Sequence, residues 1–122
     1  MSKKTLTFIL VSTFLLFWCN PSVAVIDDFQ DAVDAYNRKD YKTSYKLIFP
    51  LAEKGFAQAQ CELGNYYYDK EDFGKAVECY KKSADQGYVD AQCYLGVLYS
   101  NGEGVEQDRE QALKWLHLSA EE

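Results

Sequence analysis

Ala59-Gln60-Cys61-Glu62-Leu63-Gly64 returns as Ala91-Gln92-Cys93-Tyr94-Leu95-Gly96, with five of six residues identical at an offset of 32. Tyr67 recurs as Tyr99 in the same register. Beyond it the offset becomes 36, with Asp72 falling on Asp108, Ala76 on Ala112, Tyr80 on Leu116 and Ser83-Ala84 on Ser119-Ala120. The four extra residues lie together, in Gly102-Glu103-Gly104-Val105. Self-similarity at this period marks stacked supersecondary units, and an insertion confined to one short stretch marks a turn. A weaker copy precedes the two. Ser44, Leu47, Ile48, Leu51, Ala52, Gly55 and Ala59 stand 32 residues before Ala76, Cys79, Tyr80, Ser83, Ala84, Gly87 and Ala91. Its opening segment, about 27–37, keeps Phe29, Ala32, Val33 and Tyr36 at helical spacing but lacks the Leu-Gly pair. A terminal unit that meets water on one side is expected to be atypical.

Each unit reads as two helices. Ala59, Leu63 and Tyr67 recur every four residues over 57–68, and Phe73, Ala76, Val77 and Tyr80 form a second stripe over 73–85. That spacing gives one apolar face on a helix, and no alternating pattern competes with it. Asp40, Asp72 and Asp108 each precede a second helix, where a carboxylate can accept from exposed first-turn amides. Asp108 with Gln111 has the spacing of a capping box. Gly55 and Gly87 close second helices, where the left-handed conformation is favoured. Gly64 and Gly96 lie inside helices, at about 1 kcal/mol each, and are expected to admit a partner helix at close range. Gly74 is expected to tolerate alanine. The apolar-stripe aromatics Tyr67, Tyr80, Tyr99 and Trp115 are expected in the core.

At these residues the chain resembles the Sel1-like repeat family, a relative of the tetratricopeptide repeats. The third unit carries the resemblance best, as Ala91-x-x-x-Leu95-Gly96-x-x-Tyr99-x-x-Gly102-x-Gly104-Val105-x-x-Asp108-x-x-x-Ala112-x-x-Trp115. The second lacks the Gly-x-Gly-Val loop, and the first matches mainly in its second half. The resemblance implies an all-α, right-handed α-solenoid of three helix-turn-helix repeats, about 27–56, 57–88 and 89–122, whose first helices line a concave face. It implies an adaptor for a protein partner, as in exported bacterial relatives that contact envelope regulators or host proteins. By similarity to tetratricopeptide grooves, the concave face would carry Gln58, Cys61, Asn65, Tyr68 and Asp69, with Asp90, Cys93, Val97, Ser100 and Asn101 as their equivalents. Cysteine-rich relatives join neighbouring helices by disulfides, but here Ala84 and Gln92 stand near the places of those cysteines, so the pattern is not carried over. A weak hydrolase, as suggested for such relatives, is the alternative function.

The first 24 residues read as an export signal. Lys3 and Lys4 precede a 13-residue uncharged run, Leu6 to Trp18, too short to span the hydrocarbon core. Ser22-Val23-Ala24 offers small residues for signal peptidase, with a mature domain over 25–122. Trp18 before Cys19 argues against a lipoprotein. Losing Lys3 and Lys4 takes the formal charge from −6 to −8. Such an acidic surface disfavours nucleic acid and anionic lipid, so neither nucleic acid nor membrane is expected as a partner of the mature domain. The expected location is periplasmic or secreted.

Cys61, Cys79 and Cys93 survive cleavage, and no Cys-x-x-Cys or His cluster suggests a metal or cofactor. Cys61 and Cys93 are repeat-equivalent. Packed helices lie about 8–10 Å apart, beyond the about 7 Å that a disulfide spans between α-carbons. Three free thiols are expected, with Cys79 the most buried. The single His117, late in the last helix, has no recognisable nucleophile arrangement around it, so catalysis is not expected. The apolar side of that helix, with Leu113, Leu116 and Trp115, is expected to lack a covering repeat, so self-association through this end could occur. N-terminal sequencing of exported protein should begin at Val25, whereas a lipidated Cys19 terminus would overturn the assigned signal.

Overall fold

The structure is a computed structural model and describes residues 21–121. Among the described residues six helices follow one another: α1 Pro21–Asn37, α2 Tyr41–Glu53, α3 Ala57–Asp69, α4 Phe73–Asp85, α5 Val89–Asn101 and α6 Arg109–Glu121. They pair as α1/α2, α3/α4 and α5/α6, and the pairs stack in chain order into an α-solenoid with no strand among the described residues. The leader's apolar run lies outside the described residues. α1 begins at Pro21 rather than near residue 27, so the expected cleavage site falls inside its first turn.

The helix ends repeat as faithfully as the stripes. Asp40 accepts from the Thr43 amide and Asp72 from the Lys75 amide, both at 3.3 Å. Asp108 takes both the Glu110 and Gln111 amides, at 3.0 and 3.1 Å. A cap of this kind is worth about 1 kcal/mol. The reciprocal half of the expected capping box does not form, because the Asp108 amide donates to the Tyr99 carbonyl at 3.0 Å. Gly55 and Gly87 take φ of 90° and 88° after the second helices. The first helices of repeats one and two close on Lys39 and Glu71, at φ of 64° and 61°, a left-handed step that no glycine announces. In repeat three Gly102 makes that step, and the inserted loop reaches back to the preceding repeat. A Cβ on Gly104 would run into the Phe73 main chain.

Burial follows the stack. Ala32, Ile48, Leu51, Ala52, Ala59 and Leu63 form one cluster where repeats one and two meet. Cys61, Ala76, Val77, Tyr80, Ala84, Ala91, Leu95 and Leu98 form the next, between repeats two and three. Tyr67, Tyr99 and Trp115 are only half-buried, packed at cluster margins rather than inside. The internal glycines sit where the helices approach most closely. A Cβ on Gly64 would lie 2.6 Å from Tyr80 Cε1, and one on Gly96 would lie 2.7 Å from Leu116 Cγ. Gly74 has open space around it.

Buried amides tie one repeat to the next. Gln60 Nε2 donates to the Ala52 carbonyl at 3.4 Å, and Gln92 Nε2 to that of Ala84 at 3.3 Å. Gln86 Nε2 then bridges the Gly55 carbonyl and Gln60 Oε1, at 2.9 and 2.8 Å. Gln92 Oε1 is buried with no such partner. A buried acceptor left unpaired costs stability, so the Gln92 amide contributes less at its junction than the Gln60 amide does at the one before.

The three cysteines among the described residues are free thiols, and the expectation for Cys79 is corrected. Cys61 is the buried one, at 2% exposure, while Cys79 is half-buried and Cys93 exposed. The reason is register. Cys61 lies in the cluster that repeat three closes, whereas no further helix pair covers the equivalent Cys93 among the described residues. Burial pushes the Cys61 thiol up to about 12, with the charges of Glu62 and Asp90 adding to it, and pushes Cys79 up to about 11. The thiolate is the nucleophile, so both are poor ones at neutral pH. Iodoacetamide at pH 8 should label Cys93 first, with Cys61 labelled only as fast as the repeats open. Peptide mapping that finds Cys61 labelled as fast as Cys93 would contradict this burial order.

Candidate functional site

A hollow of about 360 Å³ opens on the side of the first helices and draws on all three repeats. α1 contributes Tyr36, α3 contributes Asn65, Tyr68 and Asp69, and α5 contributes Tyr94, Val97 and Leu98. Tyr80 closes its floor from α4. That size lies within the about 300–1,000 Å³ common for ligand pockets.

Two short hydrogen bonds fix the walls. The Tyr36 hydroxyl donates to Asp69 Oδ2 at 2.6 Å, joining repeat one to the end of α3. The Tyr80 hydroxyl donates to Asn65 Oδ1 at 2.6 Å, and Asn65 Nδ2 donates to Glu62 Oε2 at 3.3 Å. Asn65 is thereby held between an aromatic floor and a carboxylate. The Tyr80 and Tyr94 rings lie 5.3 Å apart and tilted by 39°, and Tyr68 meets Phe73 edge-on at 5.2 Å. Pairs of this geometry add about 0.5–1.5 kcal/mol beyond buried area. Both rings stay partly open to solvent: Tyr68 is 40% exposed and Tyr94 44%.

The electrostatics of the hollow are one-sided. Hydrogen bonding to Asp69 raises the Tyr36 hydroxyl pKa, and burial adds to it. Burial raises those of Tyr80 and Tyr94. The charge of Glu103 does the same to Tyr68. Burial also holds the Glu62 carboxyl above the usual carboxylate range, with Asp90 reinforcing it and the bond from Asn65 opposing. All four tyrosines are therefore neutral hydroxyls near neutral pH.

Of the ten residues expected on the concave face, Asn65, Tyr68, Asp69 and Val97 line the hollow. Gln58 and Asp90 are exposed at the starts of α3 and α5, outside the lining, although the charge of Asp90 reaches Tyr94. Ser100 and Asn101 are exposed at the far end of α5, where the Ser100 carbonyl accepts from Gln107 and Asn101 donates to Glu103. Cys93 is exposed, and Cys61 is withdrawn into the core, so neither lines the hollow. The reading by analogy missed Tyr36, Tyr80, Tyr94 and Leu98. Tyr94 had a visible signal: it is the one position at which the two repeated hexapeptides differ, standing where repeat two has Glu62.

Other sites contribute less. No group of three or more His, Cys, Asp or Glu among the described residues is placed to hold a metal ion. His117 is exposed on α6 with Glu121 at 3.6 Å, and the neighbouring Ser119 hydroxyl donates to the Leu116 carbonyl. On the outer face of α6, Leu113 is 68% exposed and Leu118 is 38%, while Leu116 and Trp115 are half-buried. No helix among the described residues is long and apolar enough to cross a membrane.

Comparison with known proteins agrees with this architecture. The Sel1 repeat model matches residues 57–88 and 89–122. No curated protein matches the chain. Among solved structures the chain is similar to c5321, a protective antigen present in uropathogenic Escherichia coli strains, whose crystal structure displays an SLR fold. The two superpose with a TM-score of 0.75 at 30% identity, over 80% of this chain and 22% of that one. With two matched repeats making up more than half its length, and with the helix pairs, caps and close-packed glycines that those repeats require, the chain belongs to the Sel1 repeat family.

Proposed function

We propose that this protein is an exported adaptor that holds a protein partner in the hollow formed by its first helices. The Sel1 repeat fold is a scaffold for protein–protein interaction, and one observation carries the more specific reading. Exposed tyrosines from different repeats converge on a single hollow whose walls are already hydrogen-bonded in place. Tyrosine supplies large contact area with few rotatable bonds, so such a surface binds without a large ordering cost.

The open face of α6 is a second candidate surface. Leu113 and Leu118 are exposed there, and no residue of α6 lines the hollow of the first helices. The hydrolase alternative has less support. Nucleophilic catalysis needs a side chain activated by a positioned base, and His117 pairs with a carboxylate one turn along its own helix rather than with a nucleophile.

Affinity capture from envelope fractions with the exported protein, followed by mass spectrometry, tests the reading. A specific partner should be retained by Leu113→Asp. It should be reduced about tenfold or more by Tyr94→Ala combined with Val97→Asp, provided circular dichroism shows both variants folded. Capture lost with Leu113→Asp and kept with the hollow variant would move binding to the open end. Ester turnover abolished by His117→Ala would replace the adaptor with an enzyme.

A further inference from the structure

The hollow carries charge that its own chain does not neutralise. Asp69 lies in its wall, and the Tyr36 hydroxyl is the only side chain that donates to it among the described residues. Carboxylates act on each of the four tyrosines: Asp69 and Glu62 on Tyr36 and Tyr80, Asp90 and Glu62 on Tyr94, and Glu103 and Asp69 on Tyr68. No Lys, Arg or His lines the space. The ion pairs among the described residues, Lys75–Asp72 and His117–Glu121, lie elsewhere.

Aromatic faces add to this polarity. The face of a tyrosine ring is the negative end of its quadrupole, and Tyr68 and Tyr94, at 40% and 44% exposure, line the hollow together with Asp69. A cation set over those rings gains from ring and carboxylate together. An apolar anchor in the same place would strip water from Asp69 and return nothing to it. An acidic segment would be repelled. Arginine suits the space better than lysine, because its planar, weakly hydrated guanidinium can stack on a ring while its N–H groups bond a carboxylate.

We infer that the hollow seats an arginine-bearing segment of the partner protein, with the guanidinium between the Tyr68 and Tyr94 rings and paired to Asp69. The inference rests on the adaptor reading and adds the chemistry of the partner to it. Asp69→Asn is the discriminating change. It removes the charge but keeps an acceptor for Tyr36, so the wall that the Tyr36–Asp69 bond supports stays in place. Glu78→Gln removes the same charge from a different hollow, between α2 and α4, and serves as the charge-matched control.

The experiment measures fluorescence anisotropy of a labelled, arginine-bearing Gly-Ser peptide with the exported protein, beside versions carrying leucine or glutamate instead. The arginine peptide should bind at least about tenfold more tightly than either, and more weakly as salt rises. Asp69→Asn should weaken it about tenfold and Glu78→Gln by less than about twofold, with unchanged circular dichroism and melting. Equal weakening by the two variants would reduce the effect to diffuse surface charge and overturn the inference. So would a leucine peptide that binds as well as the arginine one, or no saturable binding of the arginine peptide. If any of these occurs while partner capture still depends on Tyr94 and Val97, the adaptor reading stands and the arginine seat falls. If capture does not depend on them, the adaptor reading itself falls.

Discussion

The fold turns on a hydrogen atom where other residues would carry a methyl. Gly64 lets the Tyr80 ring lie against the backbone of α3, and Gly96 lets Leu116 do the same against α5. The concession is about 1 kcal/mol of helix propensity at each position, and the return is a helix pair packed tightly enough to bury Tyr80 to 2% exposure. From that contact the functional geometry follows. Tyr80, fixed on glycine, donates to Asn65 and forms the floor of the hollow, and its ring sets the place of Tyr94. The same residue is therefore core in one direction and the floor of the hollow in the other.

Much of this was legible in the sequence because a repeat states its structure more than once. The 32-residue register placed the helix pairs, the aspartate caps and the glycine ends before any coordinates, since each rests on local chemistry that recurs. What failed to read were features that depend on neighbours in space. Cys61 and Cys93 are identical by register, yet one is buried and the other exposed, because among the described residues only the first has a following helix pair over it. Lys39 and Glu71 take left-handed turns that side-chain identity does not announce. Of the concave-face residues transferred by analogy, Asn65, Tyr68 and Asp69 toward the end of α3 and Val97 on α5 line the hollow, while Tyr94 and Leu98 enter it where repeat three departs from repeat two.

A solenoid of this kind distributes stability through junctions between adjacent repeats. The junction between repeats one and two has Gln60 satisfied at both ends by Ala52 and Gln86. The next has Gln92 satisfied at one. The hollow spans both junctions, with Tyr36 bonded to Asp69 across the first and Tyr80 stacked near Tyr94 across the second. Its shape is thus coupled to how the repeats stack, and a ligand seated there would brace both junctions.

A double-mutant cycle on Gly64 and Tyr80, read by urea denaturation, tests the account at its base. Gly64→Ala alone should destabilise by about 1–3 kcal/mol despite better helix propensity, because its Cβ meets the ring. In the Tyr80→Val background the same substitution should be neutral or stabilising, since the obstruction is gone and alanine favours the helix. A coupling of about 1 kcal/mol or more would establish that the glycine exists to seat the ring. Effects that add to within about 0.5 kcal/mol would show that the contact does not hold the helix pair, and the hollow would need another origin.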